Sequence, residues 1–172
     1  MTFLANQTFP NYIIDFMSNE WILNNSIVVA VVLLFLIIGR KLSIKNNIRV
    51  TYLMGAILFF SSVITPLRTA LNGDWNIVTD LPFHLCGISG LICSFLPFIK
   101  RKQFLFDFLF YSGIIGGIMS VLTPQMNGYD GSHFAYLEYY VRHVLILLLP
   151  LYMFKNLNIQ PSKYSSLKSF LI

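Results

Sequence analysis

Charged residues are scarce in this sequence: they make up 11% of its 172 residues, whereas apolar residues make up 56%. A typical soluble domain carries about 25% charged residues, so this composition excludes an ordinary soluble protein. The apolar residues form long runs rather than alternating patterns. Such runs predict membrane-spanning helices, because a helix satisfies all of its backbone hydrogen bonds internally and can therefore cross a bilayer.

Cysteine is almost as scarce, since the chain contains only Cys86 and Cys93. Both fall in one predicted helix, where seven residues correspond to a rise of about 10 Å, which is too far for a disulfide. The histidines also lack the closely spaced ligands of a metal site, and no carboxylate cluster accompanies them. We therefore expect no disulfide scaffold, no metal site and no cofactor.

Two further absences concern the basic residues. The sequence has no stretch that interleaves basic and aromatic residues on one surface, which excludes nucleic acid as a partner. Residues 1–20 contain no Lys or Arg, and no small-residue cleavage pattern follows the first apolar run. This N-terminus is therefore not a cleavable signal peptide, and we expect the first helix to stay in the membrane.

Five apolar segments are long enough to cross a hydrocarbon core of about 30 Å. They lie near residues 21–38, 50–67, 81–99, 104–123 and 137–154. The predicted fold is an all-α, polytopic membrane bundle that forms a single domain over residues 1–172. Residues 1–20 are expected to lie at the outer interface. Residues 155–172 are expected to form either a cytoplasmic tail or the start of a sixth helix that is cut short.

The Lys and Arg residues predict the orientation of the bundle. Ten of the 12 fall in the loops after the first and third spans and in the C-terminal tail. Only Arg68 and Arg142 fall on the opposite side. Because basic loops stay on the cytoplasmic side, we expect the N-terminus outside the cell and the tail inside.

The third and fifth spans carry the candidate catalytic residues, which are His84, Cys86 and His143. All three are predicted at one depth, about 5–10 Å inside the outer boundary. Ionisable groups inside a span are costly and usually face the bundle interior or a wet cavity. Residues two apart on a helix point about 200° apart, so His84 and Cys86 cannot face one partner. If Cys86 is a nucleophile, His143 is therefore the better base.

Each of these residues also has a structural interpretation. Cys86, Gly90 and Cys93 form a stripe of small residues at helical spacing, which is typical of close helix packing. A histidine inside a span can equally serve a structural hydrogen bond. Glu138 and Arg142 are four residues apart and can pair with each other at the interface.

Four residues near the outer side are candidates for substrate binding: Arg68, Asp80, Arg142 and His133. Arg68 and Asp80 flank the second outer loop, where each can bind a lipid headgroup or the other residue. His133 falls in the predicted loop Asn127–Tyr136, where it is either solvated or part of a cover over the site.

A five-residue pattern occurs twice. Ser62–Pro66 reads Ser-Val-Ile-Thr-Pro at the end of the second span, and Ser120–Pro124 reads Ser-Val-Leu-Thr-Pro at the end of the fourth. A duplicated helical hairpin would produce this similarity, and so would chance in an apolar sequence.

Several short motifs follow one another in a fixed order: Leu81–Cys86, the basic turn Lys100–Lys102, Leu122-Thr123-Pro124, and Arg142-His143 leading into Leu149–Tyr152. In this order they resemble the YwaF-like bacterial integral membrane proteins, which are related to eukaryotic transmembrane protein 164. The resemblance covers about residues 50–172. It implies a protein of the bacterial cell membrane, and such proteins usually continue through at least one more helix.

The resemblance also implies an activity. The eukaryotic relatives are implicated in transferring fatty acyl chains to lysophospholipids through a cysteine–histidine centre. His84 and His143 match the histidines of this pattern, whereas the family's cysteine directly precedes the first histidine. Phe83 holds that place here, and Cys86 carries its sulfur on another helix face.

Three functions are compatible with these residues. The first is a lipid-binding protein that transfers acyl chains between phospholipids, with Cys86 accepting the acyl group and His143 acting as general base. The second is a non-enzymatic membrane subunit that binds or transports a small ligand, with a partner subunit or as a homo-oligomer. The third is a structural or regulatory membrane protein. An enzyme should lose function when Cys86 or His143 is changed, whereas a binding subunit should tolerate Cys86→Ala and copurify with a partner.

Overall fold

The computed structural model describes residues 11–72, 84–100, 102–127, 129–163 and 165. Most of the described chain is helical, which confirms the all-α prediction. The helices are α1 (Asn19–Lys41), α2 (Ile44–Asn72), α3 (Leu85–Phe95, continued by a 3-10 turn Leu96–Phe98), α4 (Gln103–Leu122) and α5 (His133–Asn156). Two short strands, β1 (Tyr12–Ile13) and β2 (Gln125–Met126), pair antiparallel.

Within the described residues, four helices are long and apolar enough to cross a membrane: α1, the part of α2 over Ile44–Arg68, α4 and α5. The third predicted span, residues 81–99, contains a shorter apolar helix, which runs from Leu85 to Phe98. Residues 81–83, at the start of that predicted span, lie outside the described residues. Together these helices form a polytopic membrane bundle.

Serine side chains begin two of the long helices. The Ser18 hydroxyl accepts a hydrogen bond from the Trp21 backbone N–H at the start of α1, and Ser132 does the same for Ala135 at the start of α5. Such caps satisfy backbone donors that have no partner inside the helix. Because Ser132 caps α5, this helix begins at His133. The loop predicted over Asn127–Tyr136 was therefore wrong for His133–Tyr136, which belong to the helix.

The two ends of the bundle differ in charge. The site end contains the first turns of α1, α3 and α5, the last turns of α2 and α4, and the strand pair. The opposite end, here called the basic end, contains most of the described Lys and Arg residues. There the Tyr152 hydroxyl donates to Asn47 Oδ1 (2.6 Å), and Asn47 Nδ2 donates to the Gly39 carbonyl (3.0 Å), which ties together α5, α2 and α1.

Helix α5 forms the centre of the bundle, and its residues from His143 to Pro150 are all buried. Its closest neighbour is α4, which presents Gly113 and Gly117 one turn apart. A Cβ atom on Gly117 would lie only 2.8 Å from Leu147 Cβ and 3.2 Å from the His143 carbonyl oxygen. Only glycine therefore allows the two backbones to approach this closely, as is common at helix contacts in membranes.

We predict that Gly117→Ala destabilises the bundle by about 1–3 kcal/mol, because the added methyl group overlaps the backbone of α5. Gly116→Ala is the matched control, since its Cβ would lie 3.9 Å from its nearest neighbours, Cys86 and Leu85. The measurement is thermal unfolding of both variants in the same detergent. Equal unfolding temperatures for the two variants would contradict the close contact at Gly117.

Candidate functional site

Cys86 lies in the first turn of α3, and its side chain is half-buried. Its Sγ atom is 3.3 Å from the hydroxyl of Ser120 on α4. That hydroxyl donates its own proton to the Gly116 carbonyl at 2.9 Å. Because a serine hydroxyl has one proton, the Cys86 thiol is the donor to Ser120 in this pair.

His143 is buried against α4, with 9% of its surface exposed. Its Nδ1 atom lies 2.7 Å from the backbone carbonyl oxygen of Tyr139, one turn earlier in α5. A carbonyl can only accept, so Nδ1 carries the proton of the neutral ring and Nε2 carries the lone pair. The ring is further held by Tyr139, whose ring centroid is 4.3 Å away. His143 is thus oriented as a hydrogen-bond acceptor, or base, at Nε2.

Contacts of Ser120 and Tyr139 connect the thiol to the imidazole: Ser120 bonds to Cys86, and Tyr139 packs against His143. The Tyr139 hydroxyl donates to the Ser120 backbone carbonyl at 2.8 Å. Cys86 approaches α4 at Gly116 and Ser120, while the His143 carbonyl lies beside Gly117. The two residues therefore contact neighbouring positions on the same turns of α4. Among the described residues, no hydrogen bond joins Cys86 directly to His143.

Arg142 forms the charged border of this cluster. Its Nη1 atom is 3.9 Å from Glu138, the residue one turn earlier, so the pairing expected from their spacing is present. Glu138 also accepts a hydrogen bond from Ser61 on α2. The Arg142 guanidinium passes close to Gly90 on α3.

The remaining candidates are spread over the site end. His84 is exposed and precedes the first residue of α3, outside the regular helix, so the expected 200° separation from Cys86 does not apply to it. His133 is exposed at the first residue of α5. Asp80 lies outside the described residues.

Arg68 forms an ion pair with Asp130 and lies 5.3 Å from the centre of the Phe134 ring. Partial burial would raise the pKa of Asp130, but hydrogen bonds from Ser132 and the charge of Arg68 outweigh burial and lower it. The ion pair ties the end of α2 to the loop before α5.

Two further residues of α3, Cys93 and Ser89, are buried. Cys93 is fully buried, with its sulfur 4.0 Å from the Ile146 carbonyl oxygen, which fits its expected role in packing. Ser89 is also buried, and its hydroxyl has no hydrogen-bond partner among the described residues. It lies about 60° from Cys86 around the helix axis. The sequence had drawn attention to neither Ser89 nor Tyr139.

In the described part of the chain, no group of three or more His, Cys, Asp or Glu residues is arranged to hold a metal ion.

Comparison with known proteins gives a family rather than a near relative. The family model described as "TMEM164 family" matches residues 16–172. No curated protein and no solved structure matches the chain.

The Arg68–Asp130 ion pair predicts a pH dependence of stability. Because folding lowers the pKa of Asp130, the pair stabilises the protein above the unfolded pKa of about 3.9 and is lost as pH falls through the folded value. Asp130→Asn should therefore cost about 0.5–1 kcal/mol at pH 7 and nothing at the acidic end. Thermal unfolding at a series of pH values measures this, with the exposed Asp15→Asn as control. A constant difference across the series would contradict it.

Proposed function

Because this chain belongs to the TMEM164 family, we propose that it binds membrane phospholipid and transfers an acyl chain through Cys86 and His143. The protein is an integral membrane protein, so its substrates are lipids that reach the site within the bilayer. The proposal follows the activity that the family resemblance implies.

One observation carries the proposal: His143 is held by the Tyr139 carbonyl in the tautomer that leaves Nε2 free to accept a proton. A thiol, Cys86, contacts the neighbouring positions Gly116 and Ser120 of α4. A base held in one orientation by a third group, close to a thiol, is the usual arrangement for covalent catalysis by cysteine.

The transfer takes place in two steps. In the first, His143 Nε2 takes the thiol proton, and the Cys86 sulfur attacks the ester carbonyl of a phospholipid. The ester bond breaks, a thioester forms, and the lysophospholipid leaves with the proton from His143. In the second step, the hydroxyl of another lysophospholipid gives its proton to His143 and attacks the thioester, and the released thiolate regains the proton.

Two neighbouring groups assist this reaction. The buried Ser89 hydroxyl supplies a hydrogen bond to the oxyanion that forms on the ester carbonyl. Arg142 binds the lipid phosphate at the edge of the cluster, because its ion pair with Glu138 is long at 3.9 Å. In the resting arrangement the thiol donates to Ser120, so catalysis requires the Cys86 side chain to turn from Ser120 towards His143.

The main alternative is a non-enzymatic membrane subunit that binds or transports a small ligand. The hydrogen bond between Cys86 and Ser120 favours it, because a thiol used in this way simply joins α3 to α4. Such a protein would tolerate Cys86→Ala and copurify with a partner. Acyl labelling of Cys86 separates the two functions.

We predict a hydroxylamine-sensitive acyl mass on Cys86 after incubation of the protein in vesicles whose phospholipid acyl chains carry an isotope label. Mass spectrometry of the intact protein and its peptides detects this thioester, and added lysophospholipid should remove it. His143→Asn should abolish its formation while keeping the fold, since the asparagine amide can still donate to the Tyr139 carbonyl. Ser89→Ala should slow its formation by about tenfold or more.

Cys93→Ala is the matched control, because Cys93 is the fully buried thiol of the same helix. This variant should acquire the label as the wild type does, whereas Cys86→Ala should not. Absence of acyl mass from a folded wild-type protein with every lipid tried would reject acyl transfer and favour the ligand-binding subunit.

The bundle is further proposed to lie with its basic end in the cytoplasm and its site end at the outer surface. The support is the distribution of Lys and Arg, of which ten of 12 belong to the basic end or the C-terminal tail. The proposed reaction would then use lipids of the outer leaflet.

Single cysteines introduced into a Cys86→Ala, Cys93→Ala background test this orientation. Asn127 at the site end and Lys41 at the basic end are both exposed. A membrane-impermeant maleimide should label Asn127→Cys in intact cells and Lys41→Cys only after permeabilisation. The reverse labelling pattern would show the opposite orientation.

A further inference from the structure

A carboxylate with no cationic partner among the described residues lies at the site end of α1. Glu20, in the first turn of α1, accepts hydrogen bonds from the Tyr12 hydroxyl (2.8 Å) and the Tyr136 hydroxyl (2.7 Å). Its side chain is half-buried, and no described Lys, Arg or His forms an ion pair with it. Two neutral donors leave part of its capacity to accept hydrogen bonds unused.

Tyrosine rings surround this carboxylate. Tyr12 and Tyr129 are 5.0 Å apart between ring centres, Tyr129 and Tyr136 are 6.5 Å apart, and Tyr136 and Tyr140 are 5.4 Å apart. The four rings and Glu20, here called the tyrosine cluster, come from β1, the loop before α5, α5 itself and α1. Aromatic faces next to a negative charge are the usual recognition site for a quaternary ammonium group.

An apolar groove leads from the tyrosine cluster into the membrane-spanning part of the bundle. It lies between α1 and α5 and has a volume of about 310 Å³, at the lower end of the range for small-molecule sites. Asn24, Tyr136 and Tyr140 line its polar end, and aliphatic residues such as Ile27, Val31 and Val144 line the rest. From Asn24 to Val31 the groove extends by about 10 Å, or two helical turns.

From these contacts we infer that the tyrosine cluster and its groove bind a single-chain amphiphile with an ammonium headgroup. The ammonium group lies against the rings and compensates the charge of Glu20. The hydrocarbon chain lies in the groove between α1 and α5. This order of polar and apolar lining matches the order of headgroup and chain along such a lipid.

This binding does not depend on acyl transfer at Cys86. Glu20 also lies near the positive end of the α1 dipole, which favours a carboxylate without any ligand. A structural role of that kind predicts lower stability for Glu20→Gln, but no selectivity for an ammonium headgroup. Headgroup selectivity is therefore the property to measure.

The test uses the full chain in phosphatidylglycerol nanodiscs and an analogue of hexadecylphosphocholine with a photoreactive diazirine in its alkyl chain. This probe has no acyl ester, so it cannot react at Cys86. Peptide mapping should place its cross-links in α1 near Asn24–Val31 and in α5 near Tyr136–Val144. Unlabelled hexadecylphosphocholine should compete at least tenfold better than its anionic isostere, which keeps the phosphate but carries a tert-butyl group in place of the trimethylammonium group.

Two variants and a control make the result specific. Glu20→Gln keeps an acceptor for the tyrosines and should remove most of the preference for the ammonium headgroup. Ile27→Trp should fill the groove and reduce cross-linking of the photoreactive probe. Asp15→Asn removes an exposed acid of the same segment and should change neither property. Cross-links spread evenly over the bundle, or equal competition by both compounds in the wild type, would overturn the inference whatever the outcome at Cys86.

Discussion

The site depends on the close approach of α4 and α5. Gly117 allows the backbone of α5 to lie against α4, where an added Cβ would be 2.8 Å from Leu147. The same approach sets His143 beside Gly117 and lets the Tyr139 hydroxyl reach the Ser120 carbonyl. Helix α3 then brings Cys86 to the neighbouring positions Gly116 and Ser120 of α4. A wider spacing between α4 and α5 would move His143 and Tyr139 away from these positions.

Composition was enough to predict the class of fold, because a run of apolar residues has few alternatives to a membrane-spanning helix. It was less informative about where helices end. Hydropathy locates the apolar centre of a helix, whereas Ser18 and Ser132 decide where α1 and α5 begin through hydrogen bonds to backbone donors. The pattern of Ser132 before an amphipathic run was present in the sequence, and it would have moved His133 from the loop into the helix.

One contact near the candidate site could be predicted from the sequence. Spacing along α5 correctly indicated that Glu138 and Arg142 meet, because residues four apart on one helix are neighbours. Spacing within a helix does not show how two helices are rotated about their axes. For that reason Ser120 was noticed only as part of a repeated motif, although it is the hydrogen-bond partner of Cys86. Glu20 and Tyr136 are 116 residues apart, and their contact depends on the packing of α1 against α5.

The hydrogen bond between His143 and the Tyr139 carbonyl has a consequence beyond the site. Both groups belong to one helix and are separated by a single turn. The protonation pattern of the imidazole is thus determined by local backbone geometry and does not require α3 or α4. A change in the packing of α3 would therefore leave Nδ1 of His143 bonded to the same carbonyl oxygen.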